Sequence, residues 1–294
     1  MKSILFRAYA AFASFVSRLG LRNSRAARAA HRFIYRTSKP SRVTVHGLTL
    51  YVHPSDTVIA DRLIRSGTWE PFETEVFLEQ VSRTAGIVVD IGANIGYYTL
   101  LAARRGAAVV AFEPDPENAA LLRKNVRENG FEASVEVVQK AVWDRTGSER
   151  LYTSPDNRGD HRLYSSGDDR ESLVCDTVRL DDFFGSRDTP IGLVKIDAQG
   201  AEGRVLKGMR RTLERNRSAA LLIEFSPNLL ALLGDDPDEG LADLARHGFD
   251  LFVIDEEHAR LEPLDIRRVP TDGVNLLCLP RGRSPFARPT VAVR

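Results

Sequence analysis

Asp90, Gly92, Gly96 and Glu113 are the residues whose types and spacing best suit ligand chemistry. In VVDIGANIGYYTL (Val88–Leu100) the two glycines fall in a turn between an apolar run and a helix-period stretch. Glycine there lets the backbone approach a ligand and lets the helix start close to the sheet. A dinucleotide fingerprint would hold three glycines as G-x-G-x-x-G and seat a pyrophosphate on the helix N-terminus. This turn has only G-x-x-x-G, and the Asp90 carboxylate before it would repel pyrophosphate but suit an ammonium group. Glu113 ends the next apolar run, 21 residues after Gly92, where an acid can accept from both hydroxyls of a ribose. A nucleoside with a cationic amino-acid tail and no phosphate satisfies both acids; S-adenosylmethionine is such a molecule. The plainer readings make Asp90 a cap for the helix starting near Asn94 and Glu113 a solvated strand end. Their joint position at adjacent strand tips, where open α/β sheets bind ligands, favours the cofactor.

The elements that must carry these residues alternate. Ile87–Ile91, Ala108–Phe112, Val135–Val138, Leu193–Ile196, Ala219–Ile223, Leu251–Ile254 and Val274–Leu279 read as strands. Helix-period stretches Tyr97–Arg105, Pro116–Glu128, Ala201–Leu213 and Leu241–His247 separate several of them. Asp115 before Pro116 is an N-cap with proline in the first turn, and His247 before Gly248 is a C-terminal cap. This alternation predicts an α/β fold with a mainly parallel sheet covered by helices on both faces. Upstream, Arg42–Val52 reads as a hairpin turning near His46 and Gly47, followed by a helix around Glu75–Val81. The polar run Thr153–Ser172 is either a surface loop or a lid. The domain expectation is a basic amphipathic segment at 1–41, a lead-in at 42–86, a catalytic domain at 87–282 and a tail at 283–294.

The chain resembles the FkbM family of class I S-adenosylmethionine-dependent methyltransferases. The likeness is carried by DIGANIGYYT (Asp90–Thr99), FEPDPEN (Phe112–Asn118), AVWDRTG (Ala141–Gly147) and VKIDAQGAE (Val194–Glu202). GTWEP (Gly67–Pro71) and IEFSP (Ile223–Pro227) also match. The resemblance implies a Rossmann-like sheet of seven strands in the order 3-2-1-4-5-7-6, the last antiparallel. It implies that Asp90, Gly92, Asn94 and Gly96 line the methionine end of the cofactor, and that Glu113 holds the ribose. Ala141 and Val142 would flank the adenine through their backbone, and Asp197 would face the methyl-transfer centre. It also implies a hydroxyl acceptor on a glycan, glycolipid or secondary metabolite, selected by Thr153–Ser172 and the segment around Trp69–Thr74.

Methyl transfer to a hydroxyl needs alignment, exclusion of water and a base. The candidates near the strand tips are Asp197, Glu202, Glu224 and, from the polar run, His161. Lys195 lies two residues before Asp197 and shares its side of the strand. It either tunes that acid, acts as a base if desolvated, or forms a structural ion pair. His161 has a solvated-loop alternative, and Glu202 one in which it opens its helix. No His or Cys cluster has zinc spacing, no metal is expected, and the absence of G-x-S-x-G argues against a hydrolase.

Charge divides the chain. Residues 1–55 hold ten Lys or Arg and no Asp or Glu; since the whole chain stands at +1, the other 239 residues carry −9. An acidic body argues against nucleic acid as a partner. The first segment sets Ile4, Leu5, Tyr9, Phe12, Phe15, Val16 and Leu19 at helical spacing among arginines. It reads as peripheral membrane contact through residues 1–40 of a cytoplasmic protein, or as a docked helix, a tail or a targeting peptide. Cys175 and Cys278 sit in apolar runs as reduced core thiols. The competing functions are an N-methyltransferase, a nicotinamide-dependent oxidoreductase and a membrane-surface binding protein that retains a cofactor fold.

Overall fold

The computed structural model describes residues 35, 37–265, 269–271 and 273–286. The expected amphipathic segment, up to residue 34, and the end of the tail beyond 286 lie outside the described residues. The described chain opens with a hairpin, β1 (Arg42–Val45) and β2 (Leu48–Tyr51), whose two-residue turn holds His46 and Gly47 at positive φ. Two helices follow, α1 (Ile59–Ser66) and α2 (Pro71–Ser82). The alternation then begins with β3 (Ile87–Ile91), α3 (Tyr97–Arg104), β4 (Val109–Phe112), α4 (Pro116–Glu128) and β5 (Val135–Val138). After an excursion through β6 (Ala141–Val142), β7 (Gly147–Thr153), β8 (Glu171–Val178) and α5 (Leu180–Phe183), the chain returns to the sheet at β9 (Ile191–Ile196). It ends with α6 (Glu202–Gly208), α7 (Arg210–Arg215), β10 (Ala220–Phe225), α8 (Pro227–Leu232), α9 (Pro237–Arg246), β11 (Phe249–Asp255), β12 (Arg260–Pro263) and β13 (Val274–Pro280).

The main sheet runs β12-β11-β13-β10-β9-β3-β4-β5. Strands β10, β9, β3, β4 and β5 are parallel, and β13 is antiparallel to both β10 and β11. This is the expected order of seven plus one strand: β12, a polar four-residue piece antiparallel to β11, adds an eighth at the edge. The expected helix Ala201–Leu213 is two helices broken at Met209. A separate sheet, β6-β8-β7, was not expected from the sequence; its long strands bury only part of one face.

Successive strand residues feed opposite sides of the sheet. Val88, Leu222 and Leu277 face the layer of α2, α3 and α4 with Phe77, Leu100 and Leu122. Val89, Leu221 and Cys278 face the other layer with Val205, Leu213 and Leu244. Apart from Asp90, Lys195 and Glu224 toward their ligand-side ends, strands β3, β4, β9 and β10 are apolar because both faces are covered. Cys175 and Cys278 are buried free thiols, and burial pushes the Cys175 thiol up to about 11. Among the described residues no helix is long and apolar enough to cross a membrane.

The hairpin is tied to the ligand side by α4. Asn125, fully buried, accepts from Tyr51 N (2.6 Å) and donates to Tyr51 O (3.1 Å) and to Ile95 O in the glycine turn (2.8 Å). One helical turn later Asn129 makes the same pair of bonds to Thr49 N and O (3.0 and 2.8 Å). Replacing Asn125 with Ala removes the partner of three backbone groups, Ile95 O in a buried bond and Tyr51 N and O in part-buried ones. A buried group left unsatisfied costs about 1–3 kcal/mol and a part-buried one less, so Asn125→Ala should lower unfolding stability by about 2–4 kcal/mol. Urea denaturation measures this, and a loss below about 1 kcal/mol would show that the side chain is not what ties hairpin, helix and turn together.

Candidate active site

The site forms where β3, β4, β9 and β10 end. At the tip of β3, Gly92 N and Ala93 N both donate to Phe112 O at 3.0 Å, and Asp197 N donates to Ile91 O at 3.0 Å. These bonds draw the turn against the end of β9. A Cβ on Gly92 would stand 1.8 Å from the Asp197 carbonyl oxygen, and φ there is +77°. No L side chain satisfies both demands. Asp90, immediately upstream, is buried and accepts from Thr99 Oγ1 of α3 at 2.6 Å. Burial pushes its carboxyl up to about 6, with the Thr99 bond working against that shift.

Two cavities meet at this tip and share Gly92, Asn94, Gly159, Asp197 and Gln199. The first holds Glu113, Asn118, Ala141, Val142 and His161 on its walls. Glu113 accepts from Asn94 N (2.8 Å) and Asp115 N (2.9 Å), which orients its carboxylate along the end of β4. Burial outweighs these bonds and raises its pKa to about 8. The β7–β8 connection covers this cavity: Arg158 O accepts from Asn94 Nδ2 (2.9 Å) and Asn118 Nδ2 (3.0 Å), while the Arg158 guanidinium pairs with Glu117.

The second cavity, of about 180 Å³, is lined by Trp69, Glu70, Asp90, Tyr98, Lys195, Asp197 and Glu224. Lys195 Nζ lies 3.2 Å from Glu73 of α2, 3.9 Å from Asp197 and 4.5 Å from the Tyr98 ring centre. Burial works against its charge, but Glu73, Asp197, Glu70 and Asp90 together outweigh burial and hold the ammonium above the usual lysine range. Lys195 therefore has no free lone pair with which to remove a proton at neutral pH. Gln199 Nε2 donates to Asp197 Oδ1 (2.8 Å) and Glu224 Oε2 (2.6 Å), joining the two acids. Burial and then Asp197 hold Glu224 well above the usual carboxylate range. Glu70, at φ +38°, is pushed up to about 8 by burial and next by Glu73.

Residues 90–251, more than half of the 294, match the methyltransferase FkbM domain. The chain belongs to the FkbM methyltransferase family. No curated protein matches it. Among solved structures it is similar to cofactor-bound Rv0187 from MTB, at 17% identity over 74% of this chain and 83% of that one, with a TM-score of 0.43. It is also similar to SMU.1697c, a putative methyltransferase from Streptococcus mutans in complex with SAH (12% identity, 70% and 96% covered, TM-score 0.41). A third is an rRNA methylase from Streptococcus thermophilus (16% identity, 73% and 98% covered, TM-score 0.43).

Within this FkbM domain the structure brings Lys195, Asp197 and Glu224 together beside Asp90. It does not bring His161 or Glu202 to them as lining residues of the second cavity. His161 stands on the wall of the first cavity instead. Glu202 is fully buried, and its Oε1 accepts from Ala198 N (3.0 Å) and Gly200 N (3.1 Å), pinning the turn after β9. Gly96 lines neither cavity; a Cβ there would come within 2.4 Å of Leu122 Cδ1, so the glycine lets α3 lie close to α4. Glu70, Glu73 and Gln199 were not singled out as charge partners from sequence. The run WEPFETE offers acids, but only the packing of α2 over β9 makes Glu73 the counter-ion of Lys195.

Removing one member of a buried ion pair leaves an uncompensated charge, which costs about 3–5 kcal/mol. Lys195→Met should destabilise the chain by that amount, and the double variant Lys195→Met, Glu73→Leu should recover most of it. Equal loss in the single and double variants would show that the pair does not act as a unit.

Proposed function

We propose that the chain is an S-adenosylmethionine-dependent methyltransferase that methylates a hydroxyl of an uncharged glycan, glycolipid or secondary-metabolite acceptor. The observation that carries this reading is the junction of two acid-bearing cavities at Gly92, Asn94, Asp197 and Gln199. The residues fit the cofactor: Glu113 offers a carboxylate at the end of β4 to ribose hydroxyls, and Asp90 offers one to an ammonium. Gly92 and Asn94 would border the tail, and Ala141 and Val142 the base. When bound, the cofactor supplies a sulfonium methyl group that a nucleophile can displace. The chain supplies alignment, which in well-oriented reactions is worth about 7–11 kcal/mol. It also supplies a proton acceptor at the junction, with Asp197 in that role. Gln199 holds Asp197 against Glu224, and the Lys195 ammonium balances the group.

Carboxylates dominate the second cavity, and its one lysine is already paired. Phosphate or carboxylate acceptors are disfavoured there by like charge. The same acids favour a second reading, N-methylation of an amine. Radiolabelled methyl transfer to parallel panels of polyols and amines separates the two; incorporation into amines alone would replace the hydroxyl reading. With a hydroxylated acceptor, Asp197→Asn should lower kcat about 10²–10⁴-fold while leaving affinity for S-adenosylhomocysteine nearly unchanged. The peripheral membrane contact proposed for residues 1–40 rests on composition, and removing them should abolish liposome co-sedimentation.

The cofactor itself is tested by thermal unfolding with S-adenosylhomocysteine, S-adenosylmethionine and NAD. At 100 times the dissociation constant a specific ligand adds about 2.7 kcal/mol. A rise in Tm with NAD alone would overturn the methyltransferase reading in favour of an oxidoreductase, and no rise with any of the three would favour the binding protein. The pH dependence follows from Glu113. Below its raised pKa of about 8 the free carboxyl is protonated, whereas hydroxyl donors need the carboxylate, so binding releases a proton. Affinity for S-adenosylhomocysteine should therefore rise at least about tenfold from pH 6 to pH 8 and then level off. In Glu113→Gln it should be weaker and change only about twofold over that range, the part contributed by Asp90 with its carboxyl at about 6; an unchanged slope would remove Glu113 from the ribose.

A further inference from the structure

Three residues lining the first cavity carry a buried polar atom that nothing in the protein satisfies: two donors, His161 Nε2 and Arg158 Nε, and one acceptor, Asn118 Oδ1. His161 is almost wholly buried, with 6% of its side chain exposed. Its Nδ1 accepts from Ser154 N at 3.0 Å, which places the ring proton on Nε2 of the neutral imidazole. That Nε2 has no hydrogen-bond partner; the nearest carboxylate oxygen, Asp115 Oδ2, is 3.9 Å away, and Asp115 Oδ1 caps α4. Asn118, 1% exposed, spends its Nδ2 on Arg158 O and leaves Oδ1 without a partner. Both residues line the same cavity, beside Leu151 and Leu163. Buried polar groups are nearly always satisfied, so an orphan donor and an orphan acceptor facing one cavity point to a ligand with the complementary groups. A purine nucleoside has them, together with a flat face for the leucines.

We infer that His161, carried by the β7–β8 connection, is a cofactor-binding residue that donates its Nε2–H to the adenosine half of the cofactor, with Asn118 Oδ1 accepting from the same half. This rests on the S-adenosylmethionine reading and gives His161 a role other than proton transfer. The connection thereby becomes the outer wall of the cofactor cavity, and Arg158 O, held by Asn94 and Asn118, fixes that wall in place.

His161→Asn separates this role from a structural one, because an asparagine amide can still accept from Ser154 N but does not extend to the position of Nε2. By isothermal titration the full chain and His161→Asn are compared with two probes, S-adenosylhomocysteine and 5′-methylthioadenosine, which share the 5′-thioadenosine half and differ in the amino-acid tail. The expected result is a Tm close to that of the parent chain and a loss of about 3–10-fold in affinity, of similar size for both probes. Undiminished binding of both probes by folded His161→Asn would overturn the inference alone. Failure of the parent chain to bind either probe would overturn the cofactor reading and this inference with it. Should the variant fail to fold, imidazole ¹⁵N spectra of the parent chain decide: saturation with S-adenosylhomocysteine should shift the His161 Nε2–H signal, and an unmoved signal would overturn the assignment.

Discussion

Everything at the ligand side depends on one backbone approach, that of Gly92 to the end of β9. The turn after β3 is drawn down by bonds to Phe112 O, and the turn after β9 is tied to β3 through Asp197 N. With no side chain between them, the two strand tips touch through peptide groups alone. That contact puts Asp90 of one strand and Lys195 and Asp197 of the other on a common wall. It also makes the two cavities neighbours, so that groups held in each can meet at Asp197.

Charge on that wall is balanced over several residues. Lys195 is a single cation facing Glu73, Asp197, Glu70 and Asp90; burial and the neighbouring carboxylates make Glu70 and Glu224 hold their protons more tightly, against the pull of its charge. A buried cation in this setting is an electrostatic keystone: it favours the ionised form of the acids around it and offsets part of the repulsion among carboxylates crowded into a small volume. The left-handed backbone at Glu70, just before the proline that opens α2, is consistent with a segment whose conformation is set by the site it lines.

The central sheet was legible because strands covered on both faces are mostly apolar, and all seven expected runs are strands of it. The small sheet was not. In β7 and β8 polar residues alternate with few buried ones, and the intervening polar run reads like the rest of a loop. Strand β12 escaped for the same reason, being mostly exposed. At the site, Asp90 and Glu113 could be placed from the sequence because each sits at the end of an apolar run. Glu73 could not, since it lies more than a hundred residues from Lys195 and only packing of α2 joins them. His161 was visible as a residue but not as a position, because the path of a polar connection follows from bonds such as those of Arg158 O that no local pattern records.

The two asparagines that grip β2, Asn125 of α4 and Asn129 at its C-cap, have a consequence beyond fixing the hairpin. Thr49 and Tyr51 would otherwise present free amides and carbonyls along one edge of a two-stranded ribbon, a template on which another chain could add a strand. Asn125 and Asn129, spaced one helical turn apart, match that row of groups at every second residue and occupy it. The helix thus acts as a surrogate third strand and guards this edge against self-association, with neither a proline nor a charged residue at Thr49 or Tyr51.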